Sequence, residues 1–292
     1  DTHAEISIAA LAAGKHVWCE KPMSTTLADS TAMANAAASS AAKTIIGYNY
    51  TKNPAVTHAR RLIDNGVIGR VSGFFCRYDV DNEADGNRPW SWRMSRAQSG
   101  TGSNGDVLSH VISVAHFLTN SSISRVVGDY TIVHKERADS QAAGQTKIVD
   151  NDDMVAALIH FENGVKGHIG ASRVTWGRKC GLRWELHGTE GTIMYDQERL
   201  NELKLFTRQD NPATDGFRTI LTGPLHEPYA AFLPNGGHSL GYMDVKICEL
   251  HDLLSAIEAN SPVWPSFSDG LKIERVMDAV DRSAQTNKWV DV

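Results

Sequence analysis

No run of apolar residues in this chain approaches the ~20 that a membrane-spanning helix needs, so no transmembrane helix is expected. Cysteine is scarce. Cys19, Cys76, Cys180 and Cys248 form no Cys-x-x-Cys pair and match no zinc-ligand spacing. Scattered thiols of this kind read as small buried hydrophobes of a reducing compartment, with the cytoplasm as the default. An excess of basic charge is also missing. The formal net charge of −5 gives no surface suited to nucleic acid and no reason to expect binding to an anionic membrane. There is no internal repeat and no low-complexity segment. What remains is an ordinary globular composition, with 41% apolar and 22% charged residues, long enough for one large or two moderate domains.

The first fifty residues alternate helix and strand. Apolar residues at Ile6, Ala9, Ala10 and Ala13 have helical spacing and Gly14 follows as a stop. His16–Cys19 reads as a short strand ended by Glu20-Lys21-Pro22. Thr26 or Asp29 starts an Ala-rich helix, and Thr44–Gly47 reads as a second buried strand. Short apolar strands separated by helices predict parallel βαβ units. Two strands do not complete a doubly wound sheet of about six, and they would lack covering neighbours. Asp1 stands just before a helix, where a strand should have ended. Roughly half of a nucleotide-binding domain is therefore expected upstream of it. The only glycines in this stretch are Gly14 and Gly47, so it holds no Gly-x-Gly-x-x-Gly loop. Without that loop the polypeptide as written is expected to bind a dinucleotide poorly.

After a linking helix over Pro54–Gly66 the pattern changes to strands: Val71–Val80, Ile123–Val133, Asp153–Phe161, Val165–Val174, Leu182–His187, Thr192–Tyr195 and Leu203–Phe206. Turn signals such as Glu162-Asn163-Gly164 join several of them, which predicts a largely antiparallel sheet. One helix, Asp106–Leu118, interrupts the strands. Two more, about Leu240–Ala259 and Ser268–Thr286, close the chain. Asp210–Gly237 reads as a long loop. The predicted fold is α/β: residues 1–50 are part of a Rossmann domain, and residues 51–292 form an α+β domain on a large, mostly antiparallel open sheet. The closing helices are free to pack back on the first part.

Three segments carry residues suited to chemistry. Glu20-Lys21-Pro22 and Gly47-Tyr48-Asn49-Tyr50 both follow strands, on the edge where open α/β sheets bind ligands. Lys21 there can position a substrate hydroxyl, or it can be a solvated loop residue. Asp106 and His110 are four apart on a helix, within reach of one ligand. Histidine is suited to moving a proton near neutral pH. The plainer alternatives are a helix N-cap for Asp106 and a satisfied core histidine for His110. Metal ligation by the two is a further alternative, unsupported by any His-x-x-x-His or carboxylate cluster. Trp92-Arg93 and the glycines Gly100, Gly102 and Gly105 precede this helix and allow close backbone approach to a ligand, or form a crossover loop. Arg173 and Trp176 follow a strand, where they line a polyol site or merely dress the sheet surface.

In combination these segments resemble the glucose–fructose oxidoreductase / inositol dehydrogenase / MocA (Gfo/Idh/MocA) family. The likeness rests on Ala13-Gly14-Lys15-His16-Val17 through Glu20-Lys21-Pro22, on Gly47-Tyr48-Asn49 with Asn53-Pro54-Ala55, and on Gly105-Asp106 through His110. Trp92-Arg93, His187-Gly188-Thr189-Glu190-Gly191 and Trp289-Val290 extend it over the whole chain. The resemblance implies an NAD- or NADP-dependent dehydrogenase acting on a sugar, anhydrosugar or cyclitol, and a homo-oligomer, dimer or tetramer, formed through the open sheet. It implies Lys21, Asp106 and His110 as the catalytic trio, with His110 the general base. His3, Glu20, Lys21, Pro22, Asn49, Trp92 and Arg93 are implied at the cofactor, and Tyr50 and Arg173 beside the trio at the substrate. The Lys21–Pro22 bond is frequently cis in relatives. Two positions depart from the family pattern, Leu108 where Gly is common and Ser113 where a second Asp is common. Neither belongs to the trio. A catalytically silent relative and, less favoured, a metal-dependent hydrolase or isomerase are the alternative functions.

Overall fold

The computed structural model describes residues 2–208 and 212–292. It opens on α1 (His3–Ala12), β1 (Val17–Cys19), α2 (Leu27–Ala38) and β2 (Thr44–Ile46). Gly14, at φ +70°, takes the left-handed turn that ends α1. Thr26, rather than Asp29, caps α2. Its hydroxyl accepts the Asp29 amide at 3.1 Å and donates to the Asp29 carboxylate at 2.7 Å. β1 and β2 pair in parallel, with Val17 beside Thr44 and Cys19 beside Ile46. Their exits, Glu20 and Gly47, therefore share one edge. The next helix, α3 (Pro54–Asp64), begins on Asn53, whose side chain accepts the Ala55 amide, with Pro54 in the first turn.

The rest of the chain builds one sheet. Among the described residues it holds nine strands: β3 (Val71–Asp79), β4 (Ile123–Thr131), β7 (Met154–Phe161), β8 (Lys166–Ser172), β9 (Gly181–Gly188), β10 (Gly191–Asp196), β11 (Glu202–Thr207), β12 (Arg218–Leu221) and β13 (Val290–Asp291). Their order is β12-β11-β10-β9-β3-β8-β7-β4-β13, and every pairing is antiparallel except that of β3 with β8. A separate hairpin, β5 (Glu136–Ala138) and β6 (Thr146–Ile148), has no counterpart in the strand pattern of the sequence. Apart from the buried Arg137 its residues are exposed, so no alternating apolar pattern marks it. β12 corrects the long-loop reading of Asp210–Gly237, because Arg218–Leu221 pairs along β11. Asp210 and Asn211 lie outside the described residues.

Side chains alternate cleanly across the sheet. Phe74, Cys76 and Tyr78 of β3, Val155, Ala157 and Ile159 of β7, and Leu182, Trp184 and Leu186 of β9 are buried on one face. That face is covered by α5 (Ser109–Thr119) and by α7 (Phe267–Thr286). Each large apolar side chain removed from water there contributes roughly 1.5–3 kcal/mol. The opposite face, with Phe75, His168, His187, Leu158 and Met194, has no covering helix among the described residues. A four-residue helix, α4 (Arg96–Ser99), precedes α5, and α6 (Tyr242–Glu258) precedes α7.

Both closing helices return to the opening residues. α7 packs on α2 and β2, and the Phe267 amide donates to Thr44 Oγ1 at 3.1 Å. On α6, Asp252 accepts the Lys52 ammonium at 2.7 Å. Among the described residues no helix is long and apolar enough to cross a membrane.

Candidate active site

Lys21 leaves β1 on a loop held from behind. Glu274 of α7, almost wholly buried, accepts the Met23 amide at 2.8 Å and also takes the Ser24 amide. Gly270, one turn earlier on α7, lets the helix approach. A Cβ there would lie 2.9 Å from Ile46 and 3.0 Å from the Met23 sulfur. The Lys21–Pro22 peptide is cis. His3, at the start of α1, meets the Pro22 carbonyl through Nδ1 at 3.0 Å. The Lys21 ammonium donates to Asp106 Oδ1 at 2.7 Å and to the Asp106 carbonyl at 2.8 Å.

Asp106 is not a helix cap. It lies inside a π turn, Asn104–Leu108, that runs directly into α5. A π turn inside a helix is rare and often accompanies function. Here Gly102, just before it, is tied to Asp152, whose carboxylate accepts the Gly102 amide at 2.8 Å and the Asn104 amide at 2.6 Å. A Cβ on Gly102 would lie 1.9 Å from the Asp152 carbonyl oxygen. The Gly102 and Asn104 amides are therefore taken up by the chain's own carboxylate.

His110 is buried, with Tyr50 against its ring at 4.5 Å between centroids and Tyr48 and Tyr78 edge-on at 5.5 and 5.8 Å. Its Nδ1 is buried without a protein partner. Burial, aided by the Lys21 and Lys246 ammonium groups, holds its pKa well below the usual imidazole value. The ring is neutral near pH 7 and able to accept a proton. Lys21, Asp106 and His110 line one cavity of about 180 Å³. It adjoins a cleft of about 840 Å³ lined by His3, Pro22, Trp92, Arg93 and Arg173.

Comparison with known proteins fits this geometry. Residues 56–194 match the GFO/IDH/MocA C-terminal domain, and residues 1–48 match the oxidoreductase family with an NAD-binding Rossmann fold. Levoglucosan dehydrogenase of Pseudarthrobacter phenanthrenivorans is 38% identical over 99% of this chain and 77% of its own length. The chain belongs to the Gfo/Idh/MocA oxidoreductase family. A solved structure of levoglucosan dehydrogenase in complex with NADH and levoglucosan superposes with a TM-score of 0.95 at 38% identity, over 100% of this chain and 77% of that one. Inositol 2-dehydrogenase of Rhizobium meliloti is a more distant relative, 24% identical over 100% of this chain and 78% of its own length.

As a Gfo/Idh/MocA oxidoreductase, the chain gathers most of the residues singled out from its sequence. Glu20, Asn49 and Tyr50 line the small cavity with the trio. Asn49 is buried and its Nδ2 donor has no partner among the described residues, an open polar valence that fits the carboxamide end of a nicotinamide cofactor. Trp92 is half-exposed under the Arg93 guanidinium, 4.4 Å from its ring. Arg173 reaches the cleft wall with its donors engaged: Asp153 at 2.8 Å, the Asn151 side chain at 2.7 Å and the Arg93 carbonyl at 3.2 Å. Trp176 is largely exposed and lines neither cavity. Leu108 and Ser113 are both buried and act through packing.

The sequence reading missed Lys246 and Tyr242 of α6, which close the small cavity from the far end of the chain. Their only sequence signal was a helix start, so proximity to Lys21 was not legible. Among the described residues no group of three or more His, Cys, Asp or Glu is placed to hold a metal ion.

Proposed function

We propose that this protein oxidises a ring carbinol of an uncharged cyclic polyol, an anhydrosugar such as levoglucosan being the leading candidate, with NAD as partner. The observation that carries the reading is the meeting of Lys21, Asp106 and a neutral His110 around one small cavity. Both ammonium groups at the cavity are paired with carboxylates. Lys21 is paired with Asp106, and Lys246 with Glu20 and Glu249. No spare cation remains among these to favour an anionic substrate. The similarity to levoglucosan dehydrogenase supports the anhydrosugar.

In this reading His110 takes the proton of the reacting hydroxyl. Lys21 donates a hydrogen bond to the same oxygen and stabilises the negative charge that grows there. Asp106 holds the ammonium in place through the 2.7 Å ion pair. Asn49, Glu20, His3 and the Pro22 loop hold the nicotinamide end, with Trp92 and Arg93 across the cleft. The cofactor, when bound, supplies the hydride acceptor. Residues 1–50 then serve the cofactor and residues 51–292 the substrate. The uncovered sheet face, with Phe75 between His168 and His187 at 4.9 and 4.7 Å, is the surface for self-association.

The test is NADH formation by the holoenzyme on a panel of anhydrosugars, inositols and aldoses. Turnover of at least one, and loss of it in His110→Ala, is expected. Tight polyol binding without any NADH formation would instead identify a silent relative.

A further inference from the structure

Lys246 stands on α6, more than two hundred residues from Lys21 in sequence, yet its ammonium reaches the same cavity. It donates to Glu20 Oε1 at 2.8 Å and to Glu249 Oε2 at 3.2 Å. Glu249 is fully buried and also accepts the Trp18 indole N–H at 3.1 Å, while Lys246 lies 5.5 Å from the centre of that indole ring. Trp18 belongs to β1, the strand that delivers Lys21. The helix is thus tied to β1 at two points, through Glu20 and through Trp18.

Gly47 records how closely this pair fits. A Cβ at Gly47 would stand 2.8 Å from Glu20 Oε2 and 3.2 Å from Lys246 Nζ. The carboxylate and the ammonium fold over the bare backbone at the exit of β2. Burial alone pushes the Lys246 ammonium toward neutrality, but Glu20 and Glu249 outweigh it and raise its pKa. It is a fixed positive charge.

We propose that Lys246 is a positioning residue of the reaction site, which orients Glu20 for the cofactor and sets a second ammonium group into the cavity that His110 lines. The proposal rests on the functional reading above. The charged and titratable groups around His110 are Glu20, paired with Lys246, and Lys21 from the β1 exit, Tyr48 and Tyr50 from the β2 exit, Tyr78 from β3, Asp106 just before its own helix, and Tyr242 and Lys246 from α6. Burial holds Tyr48, Tyr50 and Tyr78 above the ordinary tyrosine range, so none carries charge near neutral pH. Asp106 is spent on Lys21. Lys246 is then the cation at His110 whose removal leaves the Lys21–Asp106 pair in place.

The experiment compares Lys246→Met, Lys246→Arg and Gly47→Ala with the parent protein. Two readouts are taken: the NMR titration of the His110 ring without cofactor, and the pH profile of kcat/KM with NAD and a turned-over polyol. In Lys246→Met the ring midpoint and the acid limb should move up together, toward the free imidazole value of about 6.5. In the same variant kcat/KM should fall on the order of 10- to 100-fold, the scale of a lost alignment. Lys246→Arg should restore the titration midpoint. Gly47→Ala, which leaves every charged side chain in place but displaces the pair, should move the midpoint in the same direction by less. If Lys246→Met does not fold, Gly47→Ala carries the test. An unmoved midpoint in folded Lys246→Met, or in Gly47→Ala if Lys246→Met does not fold, overturns the proposal. The ring titration needs no turnover, so it still decides the role of Lys246 if the parent protein oxidises no polyol.

Discussion

At the scale of single residues, Lys21 and His110 divide the work by charge. The lysine ammonium is paired with Asp106 at 2.7 Å, and the histidine is kept from gaining a proton by burial and by two nearby ammonium groups. Removing either should cut turnover at least ~100-fold, the scale of a lost general acid or base, measured as kcat on the best polyol. A folded His110→Ala or Lys21→Ala protein with near-normal kcat would reject the assignment. The sign of the pH dependence follows from the same burial. His110 loses its acceptor role only when protonated, and its pKa is lowered. The acid limb of kcat/KM in the parent protein should therefore fall below the ordinary imidazole value of about 6.5. A limb at or above that value would contradict the neutral, buried ring. Strand exits and helix spacing singled out Lys21, Asp106 and His110 but left a solvated loop, an N-cap and a core histidine open, and the family resemblance is what joined them as a trio. Lys246 was not legible, because no local pattern says which surface a late helix will meet.

Among the elements, the π turn at Asn104–Leu108 is the feature that sequence periodicity did not reveal. The apolar repeat predicts a plain helix over 106–118, and a π turn is set by neighbours rather than by its own residues. The neighbour here is Asp152, nearly fifty positions downstream, whose carboxylate and carbonyl receive the amides of Gly102, Ser103 and Asn104. Asp152→Ala would orphan two buried amide donors, at roughly 1–3 kcal/mol each, and loosen the turn that aims Asp106. Urea unfolding should show that loss, together with a reduced kcat. Unchanged stability would mean that the turn is fixed by other contacts. The β5–β6 hairpin and β12 escaped the sequence reading for a related reason. Their residues are largely exposed, so their strand character comes from pairing and leaves no alternating apolar signature.

For the whole molecule, the broad sheet was readable and the way the chain closes on itself was not. Alternating burial along β3, β7 and β9 follows directly from their sequences. The return of α6 and α7 to the opening strands depends on buried carboxylates that no periodicity marks. Burial pushes Glu274 up to about 8 and Glu249 up to about 7. Both lie above the ordinary carboxyl value of about 4.3, so across this window the folded chain binds more protons than the unfolded one. Their contribution to stability is complete below the unfolded value and is lost as pH rises through about 7 and about 8. Melting temperature should decline over that range, and Glu274→Gln should flatten the decline. A slope that Glu274→Gln leaves unaltered would show that the loop behind Lys21 is not held by a titrating carboxyl.

The most direct measurement of the central claim is a crystal structure of the holoenzyme with NADH and a bound polyol. One substrate hydroxyl should lie within hydrogen-bond distance of both Lys21 Nζ and His110 Nε2. A polyol bound productively elsewhere, with neither group touching the same oxygen, would contradict the account.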